Sequence, residues 1–233
     1  MTLAAMRSRS SPTAQSRRRP SESSRRRSTP TGRSTLLVNN AGISDPDWFA
    51  EQSSERIRRM TDNQYYSTVW MTRAAWPFLV TSGGNVVNTA SEALLGGVPK
   101  AASYCGAKGG VFAFTRALAL EGHRIGVRLN AICPRGNTRL SAPEVLARHY
   151  DQPAESFKSE WFEGMRPEYP TAAVIAFAHE SCDLTGETFV CGDSTSATWV
   201  PPPSLPGRVP MGRCATTSTA DQRDVQTALK SQR

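Results

Sequence analysis

The chain has 233 residues, 38% of them hydrophobic, and a formal net charge of +8. That length and apolar content suit one globular core. No apolar run approaches the roughly 18 residues of a membrane span and no signal-peptide core is visible, which predicts a soluble, cytoplasmic protein. The charge is not spread over the chain: residues 1–33 hold nine arginines and one acid, Glu22, which leaves 19 basic and 19 acidic residues in the remainder. The body is therefore neutral, and the high isoelectric point is no argument for a nucleic-acid binder. The cysteines at 105, 133, 182, 191 and 214 form no C-x-x-C pair and no ligand spacing with the three histidines, so they read as incidental thiols rather than a metal site.

Residues 1–33, with Arg17-Arg-Arg-Pro20 and Arg25-Arg-Arg-Ser-Thr-Pro30 among serines and threonines, hold too little apolar surface to offset the entropy of ordering. This segment is expected to be a disordered tail. A transit peptide, a nuclear-localisation or RNA-binding arm, and a segment without function stay open for it.

The folded part is expected over residues 34–193. Thr35-Leu-Leu-Val38 reads as a short buried strand, and Asn39-Asn-Ala-Gly42 as a turn whose small residues let the backbone approach a ligand. Asp47 to Val80 reads as one long helix or two, with Arg56, Arg58 and Arg59 on the wet side and Trp70, Ala74 and Trp76 among the buried candidates. After a turn at Thr81–Gly84, Asn85 to Ala90 is a strand ending at Ser91, and Gly96-Gly97 marks a flexible loop. Ser103 to Glu121 is helical by period, with Val111, Phe114 and Leu118 on its apolar stripe and Gly106, Ala107 and Gly110 permitting close packing. Val127 to Ile132 is the next strand, followed by Cys133-Pro134-Arg135-Gly136-Asn137-Thr138, where Pro134 fixes φ and Gly136 opens a tight path. Ala142 to Arg166 is helical in parts and, with Trp161, Phe162 and Tyr169, is a candidate substrate cover; Thr171–His179 is a further helix and Leu184–Val190 leads into a last strand. Residues 194–233 read as a disordered or weakly ordered tail, with a short helix at most over Ala220–Lys230.

The chemistry concentrates in Ser91 to Lys108. Ser91 lies thirteen residues before Tyr104, and Tyr104 four before Lys108, so a helix there puts phenol and ammonium on one face. A phenol with a free pKa of about 10 is a poor base at neutral pH, and a cation within about 4–6 Å favours its ionised form. Lowering it by about 3 units corresponds to roughly 4 kcal/mol, more than one screened ammonium supplies, so a second positive group such as an oxidised nicotinamide ring would help.

Ser91, Tyr104-x-x-x-Lys108, Leu37-Val-Asn-Asn-Ala-Gly42 and Asn130-Ala-Ile-Cys-Pro-Arg-Gly-Asn-Thr138 occur in one order, and together they resemble the short-chain dehydrogenase/reductase family over about Thr35 to Gly192. The resemblance implies an α/β, Rossmann-like parallel sheet with flanking helices, and an oxidoreductase that moves a hydride between NAD or NADP and an alcohol or ketone. It assigns Tyr104 as acid or base, Lys108 as its electrostatic partner and ribose contact, and Ser91 as the group orienting the substrate oxygen. Asn40, Ala41, Gly42, Pro134, Gly136 and Thr138 become cofactor contacts, and the helix bearing Tyr104 a surface for a homodimer or homotetramer. His179-Glu-Ser-Cys-Asp-Leu-Thr-Gly-Glu187 is similar to relatives of peroxisomal hydroxyacyl-CoA dehydrogenases, a hint toward acyl or steroid-like substrates.

Three departures stand out. The family's Thr-Gly-x-x-x-Gly-x-Gly turn occurs nowhere, and the 34 residues before the first strand are too few for two βαβ units of about 30 residues each. The first glycine-rich βαβ unit is therefore expected to be lacking, which would leave the Leu36–Val38 strand as an exposed apolar edge. The asparagine usual thirteen residues before Pro77 is Gln64, with Asn63 beside it, and Arg135 separates a proline and glycine that are usually adjacent. The alternative function is a catalytically impaired relative that serves as a non-enzymatic oligomer subunit or binding protein.

Overall fold

The computed structural model describes residues 36–157, 165–179, 181–192 and 197–199. The expected tails over 1–33 and beyond 199, Trp161, Phe162 and the short helix over 220–230 lie outside the described residues. Among those described, five strands form one sheet in the order β1(Leu36–Asn39), β2(Asn85–Thr89), β3(Arg128–Pro134), β4(Thr188–Cys191), β5(Ala197–Trp199). The first four run parallel and β5 pairs antiparallel with β4. The strand read as last is thus followed by another, within the segment read as a tail.

The helices are α1(Ser54–Thr61), α2(Ser67–Ser82), α3(Ala102–His123), α4(Pro143–Tyr150) and α5(Tyr169–Ala178). Alternate residues of the central strands face opposite layers, which is why Val86-Val87 is buried on both sides. Val86 joins Leu79 of α2, Ala119 of α3 and Leu129 on one face, while Val87 joins Ile132 and Phe177 of α5 on the other. A sheet covered on both faces by helices is the α/β class expected from the sequence. Ser53 caps α1 by accepting from Arg56 N–H at 3.3 Å, and α2 ends on Gly83 at φ 64°, a left-handed C-cap that glycine reaches without a Cβ penalty.

Between α1 and α2 the chain makes a π-helical turn over Asp62–Tyr66. The wider turn advances the residues beyond it by about one position relative to an α-helical count. That offset explains Trp70: expected in the core, it is 53% exposed and stacks against Tyr66 with centroids 6.2 Å apart. Trp76 does pack against the Leu79–Val86 cluster.

Polar side chains cross the sheet as well. Asn39 Nδ2 donates to Thr72 Oγ1 at 3.0 Å and to Asn88 Oδ1 at 2.8 Å, and Asn88 Nδ2 donates to Thr115 Oγ1 at 2.9 Å. This chain of bonds ties β1, β2, α2 and α3 together beneath the carboxyl ends of the strands. β1 itself is an edge among the described residues, with Leu36 and Val38 37% and 39% exposed.

Gly122 is where α3 touches β3 most closely: a Cβ there would lie 2.5 Å from the Val127 carbonyl and 2.7 Å from Leu129 Cδ1. At Gly109 of the same helix a Cβ would meet nothing within 4 Å. In urea unfolding, Gly122→Ala is expected to lose about 1–3 kcal/mol through overpacking, whereas Gly109→Ala gains up to about 1 kcal/mol from helix propensity. Equal responses at the two positions would contradict this packing.

Candidate active site

Parallel strands deliver the residues that follow them to one end of the sheet, and there the loops after β1, β2 and β3 meet the first turn of α3 and helices α4 and α5 around a cavity of about 1300 Å³. Its wall contains Gln64, Ser91, Tyr104 and Lys108, and also Asn40, Ala41, Gly42, Pro134, Gly136 and Thr138. The structure therefore brings together each of the residues singled out from the sequence.

Ser91 closes β2 and caps the short 3₁₀ turn Glu92–Leu95, its hydroxyl accepting from Ala93 N–H at 3.3 Å. The Tyr104 phenol lines the same cavity wall, and Ser91 is near enough to act on its pKa. Burial pushes the Tyr104 phenol above its ordinary pKa, and Ser91 pulls it partly back. Lys108, one helical turn on, sits with Nζ 5.7 Å from the Tyr104 ring centroid and donates to the Thr89 carbonyl at 2.7 Å. Desolvation lowers the Lys108 ammonium to about 8, and Lys108 is not among the groups that move the tyrosine. The ammonium donates to a carbonyl of β2 and lies over the tyrosine ring. The phenol is neutral at pH 7.

The π turn buries Gln64 to 2% exposure and points it into the cavity wall, while Asn63 on the outside donates to the Arg59 carbonyl at 2.9 Å. Gln64 Nε2 donates to the Ile43 carbonyl, and Gln64 Oε1 is buried with no hydrogen-bond partner among the described residues. Only a glycine fits beside it: a Cβ on Gly42 would lie 2.8 Å from Gln64 Oε1.

On the opposite wall Thr89 Oγ1 donates to Asn40 Oδ1 at 3.0 Å, joining the ends of β1 and β2. Arg135 makes a two-point ion pair with Glu92, Nε to Oε2 at 2.6 Å and Nη2 to Oε1 at 2.5 Å, and its N–H donates to the Cys191 carbonyl at 2.6 Å. Thr138 is engaged within its own turn, accepting from Leu140 N–H and donating its N–H to Ser141 Oγ. Burial pushes the thiols of Cys133 and Cys191 up to about 12, which keeps them protonated and unreactive at neutral pH. No cluster of metal-ligating side chains occurs among the described residues. No described helix is long and apolar enough to cross a membrane.

Sequence reasoning missed the Glu92–Arg135 pair, the Lys108–Thr89 bond and two further cavity residues, Ser44 and His149. Glu92 and Arg135 directly follow Ser91 and Pro134, which is the one signal that could have paired them. His149 carries none, since nothing in its surroundings marks which helix face meets the cavity.

The buried ammonium has a consequence for stability. Folded Lys108 releases its proton at about 8, against 10.5 for an ordinary lysine. Between those values the unfolded chain binds more protons, so this group makes stability rise with pH across the window. Moving from about pH 7.5 to about pH 9.5 in urea titrations is expected to favour the wild-type chain over Lys108→Met by about 2 kcal/mol. Parallel pH profiles for the two would contradict the buried-ammonium account.

The comparisons with known proteins agree with this geometry. The short chain dehydrogenase family matches residues 23–143. The meso-2,3-butanediol dehydrogenase of Serratia marcescens is 42% identical over 103 residues, 44% of this chain and 41% of that one. The L-fucose dehydrogenase of Bos taurus is 34% identical over 168 residues, covering 69% and 62%. The chain thus spans about two fifths to three fifths of the length of these two relatives. Among solved structures, an actinorhodin polyketide ketoreductase with NADPH superposes with a TM-score of 0.61 at 25% identity, covering 68% of this chain and 66% of that one. With the family's motifs gathered at the carboxyl ends of a parallel sheet flanked by helices, and with more than half of the chain matching, the protein belongs to the short-chain dehydrogenase family.

Proposed function

We propose that the chain is an NAD- or NADP-dependent oxidoreductase that interconverts a small secondary alcohol and its ketone. The observation that carries this reading is that Ser91, Tyr104 and the buried Lys108, one helical turn beyond the tyrosine, line one cavity, with Lys108 Nζ anchored on the Thr89 carbonyl at the end of β2. The relatives are oxidoreductases, and the names butanediol and L-fucose dehydrogenase point to hydroxylated substrates.

The residues fit the reacting end of a nicotinamide dinucleotide. Asn40, Gly42, Gly136 and Thr138 line the cavity beside Tyr104 and Lys108, with Asn40 and Thr138 offering polar atoms. When bound, the nicotinamide supplies or takes up the hydride, chemistry that no side chain here provides. The side chains handle the proton and the substrate oxygen. Ser91 Oγ and Tyr104 Oη together grip the oxygen. With the phenol protonated, Tyr104 donates its proton to a ketone oxygen as that oxygen gains charge, and takes it back in the reverse direction. Lys108, charged below about 8, stabilises the phenolate left behind.

A second reading, an impaired chain that acts as a subunit of a larger assembly, is favoured by β1 being an edge strand among the described residues, with exposed Leu36 and Val38, and by the exposed Tyr66 and Trp70 on α2 and the turn before it. Titration of the purified full chain with NAD⁺ or NADP⁺, read by tryptophan quenching, separates the two. Saturable binding supports the enzyme; its absence at millimolar cofactor, on the order of the weakest useful affinities, leaves the subunit reading.

For the enzyme, Tyr104→Phe is expected to lower ketone reduction by about 10²–10⁴-fold with cofactor affinity little changed. Turnover retained in that variant would remove Tyr104 from its role. Reduction should also decline as pH rises through about 8, where Lys108 loses its charge. Lys108→Arg, whose guanidinium stays protonated, is expected to flatten that limb, and an unchanged limb would contradict the assignment.

A further inference from the structure

Besides Ser91, Tyr104 and Lys108, the same cavity holds a second polar pole, formed by Ser44 from the loop after β1 and His149 near the end of α4. His149 Nδ1 lies 3.1 Å from the Pro99 carbonyl. A carbonyl only accepts, so Nδ1 carries the hydrogen and Nε2 of the neutral ring is the acceptor. Ser44 Oγ is 3.5 Å from Nε2. That is at the outer limit for a hydrogen bond, so both groups keep most of their capacity for a third partner.

The pair is held in place by its surroundings. Arg56 grips Asp45 at 2.7 Å and Asp47 at 2.5 Å, fixing the loop that carries Ser44. Asp47 N–H donates to the Lys100 carbonyl at 3.0 Å, Lys100 pairs with Asp151 just beyond α4, and Arg148 Nη2 reaches the Pro46 carbonyl at 3.4 Å. Three segments distant in sequence, 44–48, 98–100 and 148–151, are thereby clasped around His149. Positions of this kind, fixed by neighbours yet left with unspent hydrogen-bonding capacity toward a cavity, are where substrate polarity is read.

We propose that Ser44 and His149 form a specificity subsite for a second hydroxyl on the substrate, so that the preferred substrates are diols and hydroxyketones. This rests on the oxidoreductase reading for the first oxygen, held by Ser91 and Tyr104. A hydroxyl both donates and accepts: its hydrogen goes to His149 Nε2 and its oxygen accepts from the Ser44 hydroxyl. A ketone or carboxylate oxygen at this position leaves Nε2 without a donor. An apolar group leaves the pair only its long mutual contact of 3.5 Å and adds no partner, which is a basis for discrimination between otherwise similar ligands.

The test uses the full chain and two probes that differ by one hydroxyl, cyclohexane-1,2-diol and cyclohexanol. For each, oxidation kcat/KM is measured with the better cofactor, and binding is measured separately by melting shift. The wild-type chain is expected to prefer the diol by about 10- to 100-fold. His149→Leu should collapse that ratio, Ser44→Ala should reduce it, and His149→Gln, which keeps an acceptor and a donor, should restore part of it. A wild-type ratio near one, or a ratio unmoved in all three variants while turnover persists, overturns the subsite and leaves the oxidoreductase reading intact. If neither probe turns over but the diol still binds preferentially and His149→Leu abolishes the preference, the subsite stands and the redox reading falls. Absence of any diol preference in binding overturns the subsite as well.

Discussion

The hydrogen bond from Lys108 Nζ to the Thr89 carbonyl is the contact on which the arrangement turns. It fixes the first turns of α3 to the end of β2, and so sets the distance between Tyr104, which rides on that helix, and Ser91, which ends that strand. The ammonium is 4% exposed, and its burial is unfavourable. A side chain held in that way persists because the surrounding fold is stable enough to carry it, which is the usual relation between an active site and its scaffold. Below it, the bonds linking Asn39, Asn88, Thr72 and Thr115 lock the same strands and helices at a second level, so the site is braced from beneath.

The chemistry of the tyrosine follows from this geometry rather than from the spacing of the motif. A lysine four residues along a helix faces the same side as the tyrosine, but where its charge falls depends on what it bonds. Here a backbone carbonyl takes the ammonium, and burial is the largest influence on the phenol, raising its pKa. A bound cofactor's positive ring would add a second positive charge beside that of Lys108.

The cavity has two unlike ends. One is built from strand ends and the α3 turn, where backbone geometry dictates position to within a residue. The other is built from loops clasped by Arg56, Lys100 and Arg148, which form ion pairs and long-range hydrogen bonds. In the proposed function, elements of the first kind would carry the reaction and those of the second would read the substrate, the division expected when binding residues sit on loops held by a rigid scaffold.

The sequence by itself determined the four parallel strands, the long helices and the presence of Ser91, Tyr104 and Lys108 in the family's order, because apolar runs, helical period and the order Asn-Asn-Ala-Gly, Ser91, Tyr104-x-x-x-Lys108 and Cys-Pro-Arg-Gly are local properties of the chain. It also placed Gln64 at the position of interest. Only the tertiary structure decided the rest. The π turn that turns Gln64 inward and Trp70 outward comes from one extra residue in a helical turn, which periodicity does not show. The fifth strand takes its place by pairing with β4. The direction of the Lys108 ammonium, the Glu92–Arg135 pair and the meeting of Ser44 with His149 across 105 positions depend on which segments fold against each other. Such contacts have no signature in local sequence, since each partner is satisfied only by a group that the fold brings to it from far along the chain.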